Sequence, residues 1–516
     1  MKRFLCLTLS VLLLIGCLAG CGSSDGVVTQ TEEPAAAGTE NVTFVFSQSE
    51  DIQSTNQFND NSIVNISIFG LLFDYLIEQD HQGSFSPGLI EKWTQSEDGL
   101  TYSFRLKQDV CFSDGHPFTT AALKTSWEYA GGDETLAAYS KWSNVAEITC
   151  EDDYNMEVTL KEPDATFLVN VAQSAYVDPV EFEKLGAEEY WKNPLGCGKY
   201  VFKAWDPGNQ LVFEKNEHYS GENSSNVGKI IFKPISEDLT RVSALQTNEV
   251  NLIFAVPYEQ LETVKADSNL VIEQMAGSMS LWMGVQCAEP SPCADVHFRK
   301  ALSACIDRAL IASNIYGNAT PLFWGAPSFS LGYDESHDGK YFQYDLAEAK
   351  QELAESGYTG EPLKFIVPTT WFPKVNEIVQ TLIAMFGEVG INADVQLLEG
   401  AAYSQARSSG DYDICLQNYR FGVNNAMWYW LQFVFNYGKY NYNNQEALDL
   451  LTSTYRATNE TDSVNSLKQA LTLMAEDCAP MIPLLVFETN GAYQKDWNGI
   501  KIFPDNNYDI RNVTKN

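Results

Sequence analysis

The chain has 516 residues, and 68 acidic against 33 basic side chains leave a formal charge of −35. A chain this acidic cannot assemble the basic stripe that phosphate backbones require, which excludes nucleic acid as its main partner. Hydrophobic residues make up 45% of it, enough to bury a sizeable core, and at about 150 residues per domain the length predicts three to four domains, or fewer large ones.

The N-terminal segment predicts the compartment. Lys2 and Arg3 precede an apolar run, Phe4 to Ile15, that is too short to span a bilayer. Leu18-Ala19-Gly20-Cys21 then resembles the bacterial lipobox, in which small residues admit the signal peptidase and the thiol that follows takes a diacylglycerol. Leu14-Ile15-Gly16-Cys17 fits the pattern loosely, so Cys17 is a second candidate, and an ordinary secretory signal with incidental cysteines is the plain alternative. Residues 22–40 are rich in Gly, Ser, Thr, Ala and Glu, which predicts a flexible tether. No later stretch is apolar for long enough to cross a membrane. The folded part is therefore expected to start near Val42, outside the cell membrane and anchored to its outer face through Cys21.

From there strands and helices interleave without a sequence repeat. Val42 to Phe46 reads as a strand and Ser62 to Leu76 as a helix. Thr101 to Leu106 alternates polar and apolar as a half-buried strand must, Asp114-Gly115 is a turn, and Phe118-Thr119-Thr120 caps a helix carrying Trp127 and Tyr129. Val145 to Cys150 with Tyr154 to Leu160 predicts one hairpin, and Lys199 to Trp205 with Gln210 to Lys215 another, turning at Asp206-Pro207-Gly208-Asn209. A strand at Ile230 to Ile235 leads to a helix from Glu237, and a strand at Asn251 to Ala255 to a helix from Tyr258. Further on, Val296 to Cys305 is amphipathic, Asp307 caps a helix from Arg308 to Tyr316, and Tyr344 to Gly357 is helical with Gly357 closing it. Strands at Leu363 to Pro368, Ile391 to Leu398 and Tyr412 to Gln417 surround a helix from Lys374 to Glu388. Such alternation predicts parallel sheets covered by helices, with ligand crevices at the carboxyl ends of the strands.

Eight cysteines follow Cys21, none of them in the C-x-x-C pairs of a zinc site. Cys287 and Cys293 flank a loop with Pro290 and Pro292, where a local disulfide and a pair of buried small hydrophobes are both open readings; Cys305 and Cys415 sit in apolar runs and read as core. The five histidines (His81, His116, His218, His297, His337) are isolated, no G-x-S-x-G elbow or phosphate-binding loop occurs, and no acid pair stands out by its spacing. The chain is therefore expected not to be an enzyme and to need neither metal nor cofactor.

Several blocks then converge. Ser86-Pro87-Gly88-Leu89-Ile90-Glu91-Lys92-Trp93, Glu97 to Leu106 and Val110 to Thr119 closely resemble the hallmark block of the family 5 solute-binding proteins, the oligopeptide, dipeptide and nickel receptors of ABC importers. In the same order, Asn193-Pro194-Leu195-Gly196-Cys197-Gly198-Lys199-Tyr200 is similar to N-P-V-G-T-G-P-Y, Glu214 to Tyr219 to E-R-N-P-x-Y, and Ala244 to Asn251 to A-L-x-x-G-E-I-D. Val296 to Arg308, Tyr344 to Lys350 and Val389 to Asn392 continue the likeness.

The resemblance implies an α/β, two-lobed periplasmic-binding-protein-like (class II) fold with an extra subdomain on the N-terminal lobe. Residues 1–20 would be the signal peptide and 21–41 the tether. Residues 42–76, 193–278 and 488–516 would form lobe I, 77–192 the subdomain and 279–487 lobe II. It further implies a monomeric receptor that captures a small peptide or peptide-like solute between its lobes and hands it to an ABC permease with its ATPase subunits. The membrane would be touched only through the anchor. A surface lipoprotein hydrolase or lectin-like glycan-binding protein is the alternative. In the family, ligand contacts come from the segment after the first strand, here Ser47-Gln48-Ser49-Glu50, and from a stretch matching Gln417 to Trp430. Within the motif G-W-x-A-D-Y-x-x-P the carboxylate pairs with the peptide amino terminus. Here Tyr419 replaces the tryptophan, Arg420 adds a cation, and Gly422 stands where the aspartate belongs. Either another acid takes over, or the ligand lacks a free α-amine and carries an anionic group that Arg420 clamps. The candidate ligand residues are Ser49, Trp282, Trp371, Tyr419, Arg420 and Trp428.

Overall fold

The computed structural model describes residues 42–60, 62–80, 84–222, 225–317, 319–337, 339–421, 430, 440–505 and 507–516. The lipidation candidates Cys17 and Cys21, the glycine at 422 and Trp428 lie outside the described residues. Among the described residues no helix is long and apolar enough to cross a membrane.

The first strand, Val42–Gln48 (β1), buries Phe44 and Phe46 on one face. A small antiparallel sheet follows, made of Ile90–Gln95 (β2), Thr101–Leu106 (β3), Val145–Cys150 (β4) and Asn155–Leu160 (β5), in the spatial order β2-β3-β5-β4. The helix Thr120–Gly132 packs against it through Leu123 and Trp127. Thr119 occupies the cap position of this helix without a side-chain cap bond, while the Thr120 hydroxyl donates to the Asp152 carbonyl at 2.7 Å.

The remaining principal strands are Tyr200–Asp206 (β6), Gln210–Lys215 (β7), Val227–Pro234 (β8), Leu252–Phe254 (β9), Leu270–Val285 (β10), Leu363–Pro368 (β11), Ala393–Leu398 (β12), Ile414–Arg420 (β13) and Met481–Gln494 (β14). With β1 and the short strand Thr320–Pro321 they form one eleven-stranded sheet, in the order β12-β11-β13-β10-β14-β9-β1-β8-β7-β6. This sheet is mixed, not parallel as the alternation of elements predicted. Parallel pairing is confined to two triads, β12-β11-β13 and β9-β1-β8, and the long antiparallel strands β10 and β14 bridge them. Length explains the difference: β10 pairs with β13 of one triad, β14 with β9 of the other, and both are long enough to pair with each other as well, a property that local periodicity does not reveal.

The register fixes where the triads point. β9 runs antiparallel to β14 from Leu252↔Tyr493 to Phe254↔Gly491, and β13 runs antiparallel to β10 from Ile414↔Val285 to Arg420↔Met279. Both carboxyl ends therefore head for the middle of the β10–β14 ribbon. There the ladder slips between Ala276↔Glu488 and Ser280↔Val486. Gly277 sits in the slip, where a Cβ would lie 2.4 Å from Thr489 Oγ1 and 2.6 Å from the Phe487 carbonyl oxygen.

The predicted helix from Ser62 to Leu76 is shorter, spanning Ile63–Phe69 and capped by the Ser62 hydroxyl. Beyond it the carbonyls serve tertiary bonds. Leu71 and Leu72 accept from the Tyr200 and Gly198 amides at 3.0 and 2.7 Å, and Tyr75 and Leu76 accept from Leu89 and Ile90 at 2.8 Å each. Gly198 makes the approach possible, since a Cβ there would lie 2.5 Å from the Leu72 oxygen.

Buried side chains form a large core whose members all fall between Leu281 and Phe487, a second that joins β1, the small sheet and the C-terminal segment, and a small third under the helix Asp238–Gln246. The eight cysteines among the described residues are unbridged, with Cys287 and Cys293 both buried.

Candidate ligand-binding site

The carboxyl ends of the two triads carry buried polar atoms that find no partner among the described residues. Ser47 Oγ and Gln48 Nε2 close β1, Thr369 Oγ1 follows β11, Arg407 Nε lies between β12 and β13, and Ser278 Oγ sits at the slip in β10. An unpaired buried donor is costly, and most such groups in folded proteins are satisfied by protein or water. Their gathering at strand ends, where open α/β sheets take ligands, marks this region.

On the β11–β12–β13 side the geometry is built around Arg407. After β12 the chain turns into the helix Gly400–Ser409, which presents Tyr403 and Arg407 to the residues that end β11 and β13. The Tyr403 ring meets Trp371 edge-on at 4.8 Å, and its hydroxyl donates to the Leu416 carbonyl at 2.5 Å. The Arg407 guanidinium carbon lies 5.8 Å from the centroids of both rings. Its Nη1 donates to Gln417 Oε1 at 2.8 Å and to the Tyr419 hydroxyl at 3.4 Å. Gln417 is fully buried and is held by the Tyr419 hydroxyl, which donates to its Oε1, and by its own Nε2, which donates to the Tyr440 hydroxyl. Burial holds the Tyr403 and Tyr419 phenols well above the usual tyrosine range, and it pushes the Cys415 thiol up to about 11. These neighbours are therefore neutral, and Arg407 has no carboxylate partner among the described residues.

The predicted candidates fall into distinct places. Trp371 and Tyr419 are half-buried and belong to the Arg407 cluster; the Trp371 carbonyl also accepts from Asn418 Nδ2 at 2.9 Å. Arg420 is half-buried opposite Met279, and its side chain makes no ion pair or hydrogen bond among the described residues. Ser49 is exposed just beyond β1. Trp282 is different: fully buried, it donates from Nε1 to Ser280 Oγ at 2.7 Å and meets Trp430 edge-on at 5.7 Å, which makes it a core residue.

Arg407 and Tyr403 were not singled out from the sequence, and Gln417 was reached only as the first residue of the expected ligand stretch. The helix that bears the first two, Gly-Ala-Ala-Tyr-Ser-Gln-Ala-Arg-Ser-Ser, has too few apolar residues to show a face. One signal was available: no Asp or Glu occurs between Asp413 and Glu446, in a chain with 68 acids.

Among the described residues, two clusters have side chains spaced as for a metal, Asp114–His116–Asp178 and His297–Glu352–Glu355. Both have a structural explanation. Asp178 Oδ1 accepts from the Val180 and Glu181 amides at the start of the helix Pro179–Leu185, and its Oδ2 pairs with His116 Nδ1 at 2.8 Å. His297 Nδ1 pairs with Glu352 at 2.7 Å between two surface helices.

Residues 84–441 match the family model described as "Bacterial extracellular solute-binding proteins, family 5 Middle". The chain is 24% identical over 509 residues to the glutathione-binding protein GsiB of Shigella dysenteriae, covering 95% of this chain and 97% of that protein. Its backbone is similar to that of HbpA2 from Haemophilus parasuis, with a TM-score of 0.81, 20% identity, and coverage of 92% of this chain and 100% of HbpA2. It is also similar to DppA from Helicobacter pylori in complex with the peptide STSA, with a TM-score of 0.70, 20% identity, and coverage of 92% and 98%. These neighbours share its two-lobed α/β fold. Since the matched segment is well over half of its length, the chain belongs to the bacterial extracellular solute-binding proteins of family 5.

Proposed function

We propose that the chain is the lipid-anchored receptor of an ABC importer, taking a peptide or peptide-like solute between two lobes and delivering it to a membrane permease driven by ATPase subunits. Residues 42–76, 193–278 and 488–516 form lobe I in this reading, with 77–192 as its subdomain, and 279–487 form lobe II. Cys21 carries the lipid, and the protein acts as a monomer. The observation that carries the reading is the set of unpartnered buried donors on the facing carboxyl ends of the two triads. The ligand surface takes Trp371, Tyr419 and Arg420 from the predicted candidates, adds Arg407, and leaves out Trp282. The names of the relatives support a peptide-like solute, one being a glutathione-binding protein and another a periplasmic binding protein in complex with the peptide STSA.

In such a receptor ligand stabilises a closed form through contacts that the open form does not make. Solution X-ray scattering with glutathione and with trialanine as probes tests this. A probe bound one-to-one with micromolar affinity is expected to lower the radius of gyration. Binding of that strength with an unchanged scattering curve would rule out a clamp.

A further inference from the structure

We propose that the small cavity beside Lys141 is a binding site for a small monovalent anion such as chloride, held where three segments distant in the chain meet. The site shares no lining residue with the strand ends described above, and the inference does not depend on the receptor reading.

The cavity measures about 30 Å³, room for one or two waters or one small ion. Gln57 and Phe58 reach it from the loop after β1, and Lys141 and Trp142 from the helix Tyr139–Trp142. Asn170 and Gln173 reach it from the helix Phe167–Ala172 and its end. An occupant that binds all of these therefore ties the loop to both helices.

The charge argument starts from Lys141. An ammonium withdrawn from water needs a counter-charge or a set of acceptors. Lys141 is half-buried, and its ammonium makes neither an ion pair nor a side-chain hydrogen bond among the described residues. That is not for want of acids, since the chain holds 68 of them. Burial brings the ammonium down to about 8, and no charged neighbour offsets the loss of solvent.

The remaining polar wall offers donors of the same sense. Asn65 Nδ2 donates to the Ser54 and Asp60 carbonyls at 3.0 Å each, so its Oδ1 is left to accept from Gln57 Nε2, at 2.6 Å. Gln57 is thereby fixed with its nitrogen end in use and one N–H to spare. The side-chain amides of Asn170 and Gln173 are unengaged among the described residues and are free to turn their nitrogen inward. A water in the cavity would solvate the ammonium yet leave its charge unbalanced, whereas an anion accepts from every donor and balances it. Phe58 and Trp142, both buried, complete the wall, which favours an ion that sheds its water easily. The molecule as a whole carries −35 and repels anions, so one retained here would answer to these local donors and not to the general field.

The test is thermal melting of the full chain in sodium chloride and in sodium gluconate, whose anion is too large for the cavity, at matched ionic strength. An ion that binds only the folded form raises the melting temperature. The gain in chloride over gluconate is expected to exceed that of Lys141→Met by a few degrees, the variant serving to remove general salt effects. The same gain in both proteins overturns the proposal, as does no gain in the wild type. If Lys141→Met does not fold, wild-type crystals soaked in bromide decide the matter. An anomalous peak beside Lys141, between Gln57 and Asn170, is expected. Peaks elsewhere only, from adventitious ions, or a cavity holding water alone would overturn the site.

Discussion

Trp282 and Trp371 are the same side chain in two situations, and a substitution separates them. Trp282 is packed on all sides between Phe421 and Trp430. Trp282→Ala is expected to cost about 3–5 kcal/mol in denaturant unfolding, as for other large buried rings. Trp371 is half-buried beside Arg407, so Trp371→Ala should weaken ligand binding in calorimetry with a much smaller loss of stability; the reverse pattern would reassign both. Sequence could not tell them apart, because indole burial depends on strands distant in the chain. The same holds for the arginines: Arg420 was visible through its motif, while Arg407 reaches the candidate site only because the helix Gly400–Ser409 lays it beside Tyr419. At His116 the consequence is a pH dependence. The hydrogen bond to Asp178, with Asp114 nearby, holds its imidazole above the usual histidine range. A raised folded pKa stabilises the protein fully below the unfolded value, near 6.5, and the contribution disappears as pH rises through the folded value. His116→Asn should therefore lower the melting temperature more at pH 5.5 than at pH 9. An equal loss at both would show that the pair carries no charge-dependent stability.

Elements were legible where their own residues decide them. The hairpins at Asp206-Pro207-Gly208-Asn209 and Glu151-Asp152-Asp153 form where turn chemistry puts them, and Asp307 caps its helix through its side chain. Where partners decide, the reading stopped short. The helix at Ile63 ends at Phe69 because the Leu71 and Leu72 carbonyls are claimed by residues more than a hundred positions away, and the sheet is mixed because two strands run on past the triads they serve. The slip between β10 and β14 belongs to that second class and has a measurable correlate. Gly277 is the only residue type that fits between Thr489 Oγ1 and the Phe487 carbonyl. Gly277→Ala is expected to cost about 1–3 kcal/mol, the usual penalty of forcing atoms into a filled site. If its melting temperature matches the wild type, the slip is not held closed by close packing.

At the scale of the whole molecule, attachment and charge come first. Cys21→Ser should move the protein from the membrane fraction to the soluble one, since each buried methylene of the lipid contributes about 0.8 kcal/mol. Unchanged partitioning would eliminate Cys21 and leave Cys17. The ribbon of β10 and β14 has a different kind of consequence. The Val285 amide donates to the Pro480 carbonyl at 3.0 Å, and Gly284 pairs with Met481, so the chain enters and leaves segment 286–480 at adjoining points. The principal core of that segment has no buried member outside Leu281 to Phe487. Topologically, one protein has been spliced into another through a single doorway. The inserted portion carries Trp371, Arg407 and Tyr419, while Ser47 and Gln48 stay with the host. On the proposed reading, exchange of this insert between receptors is expected to change ligand preference while the host lobe stays the same.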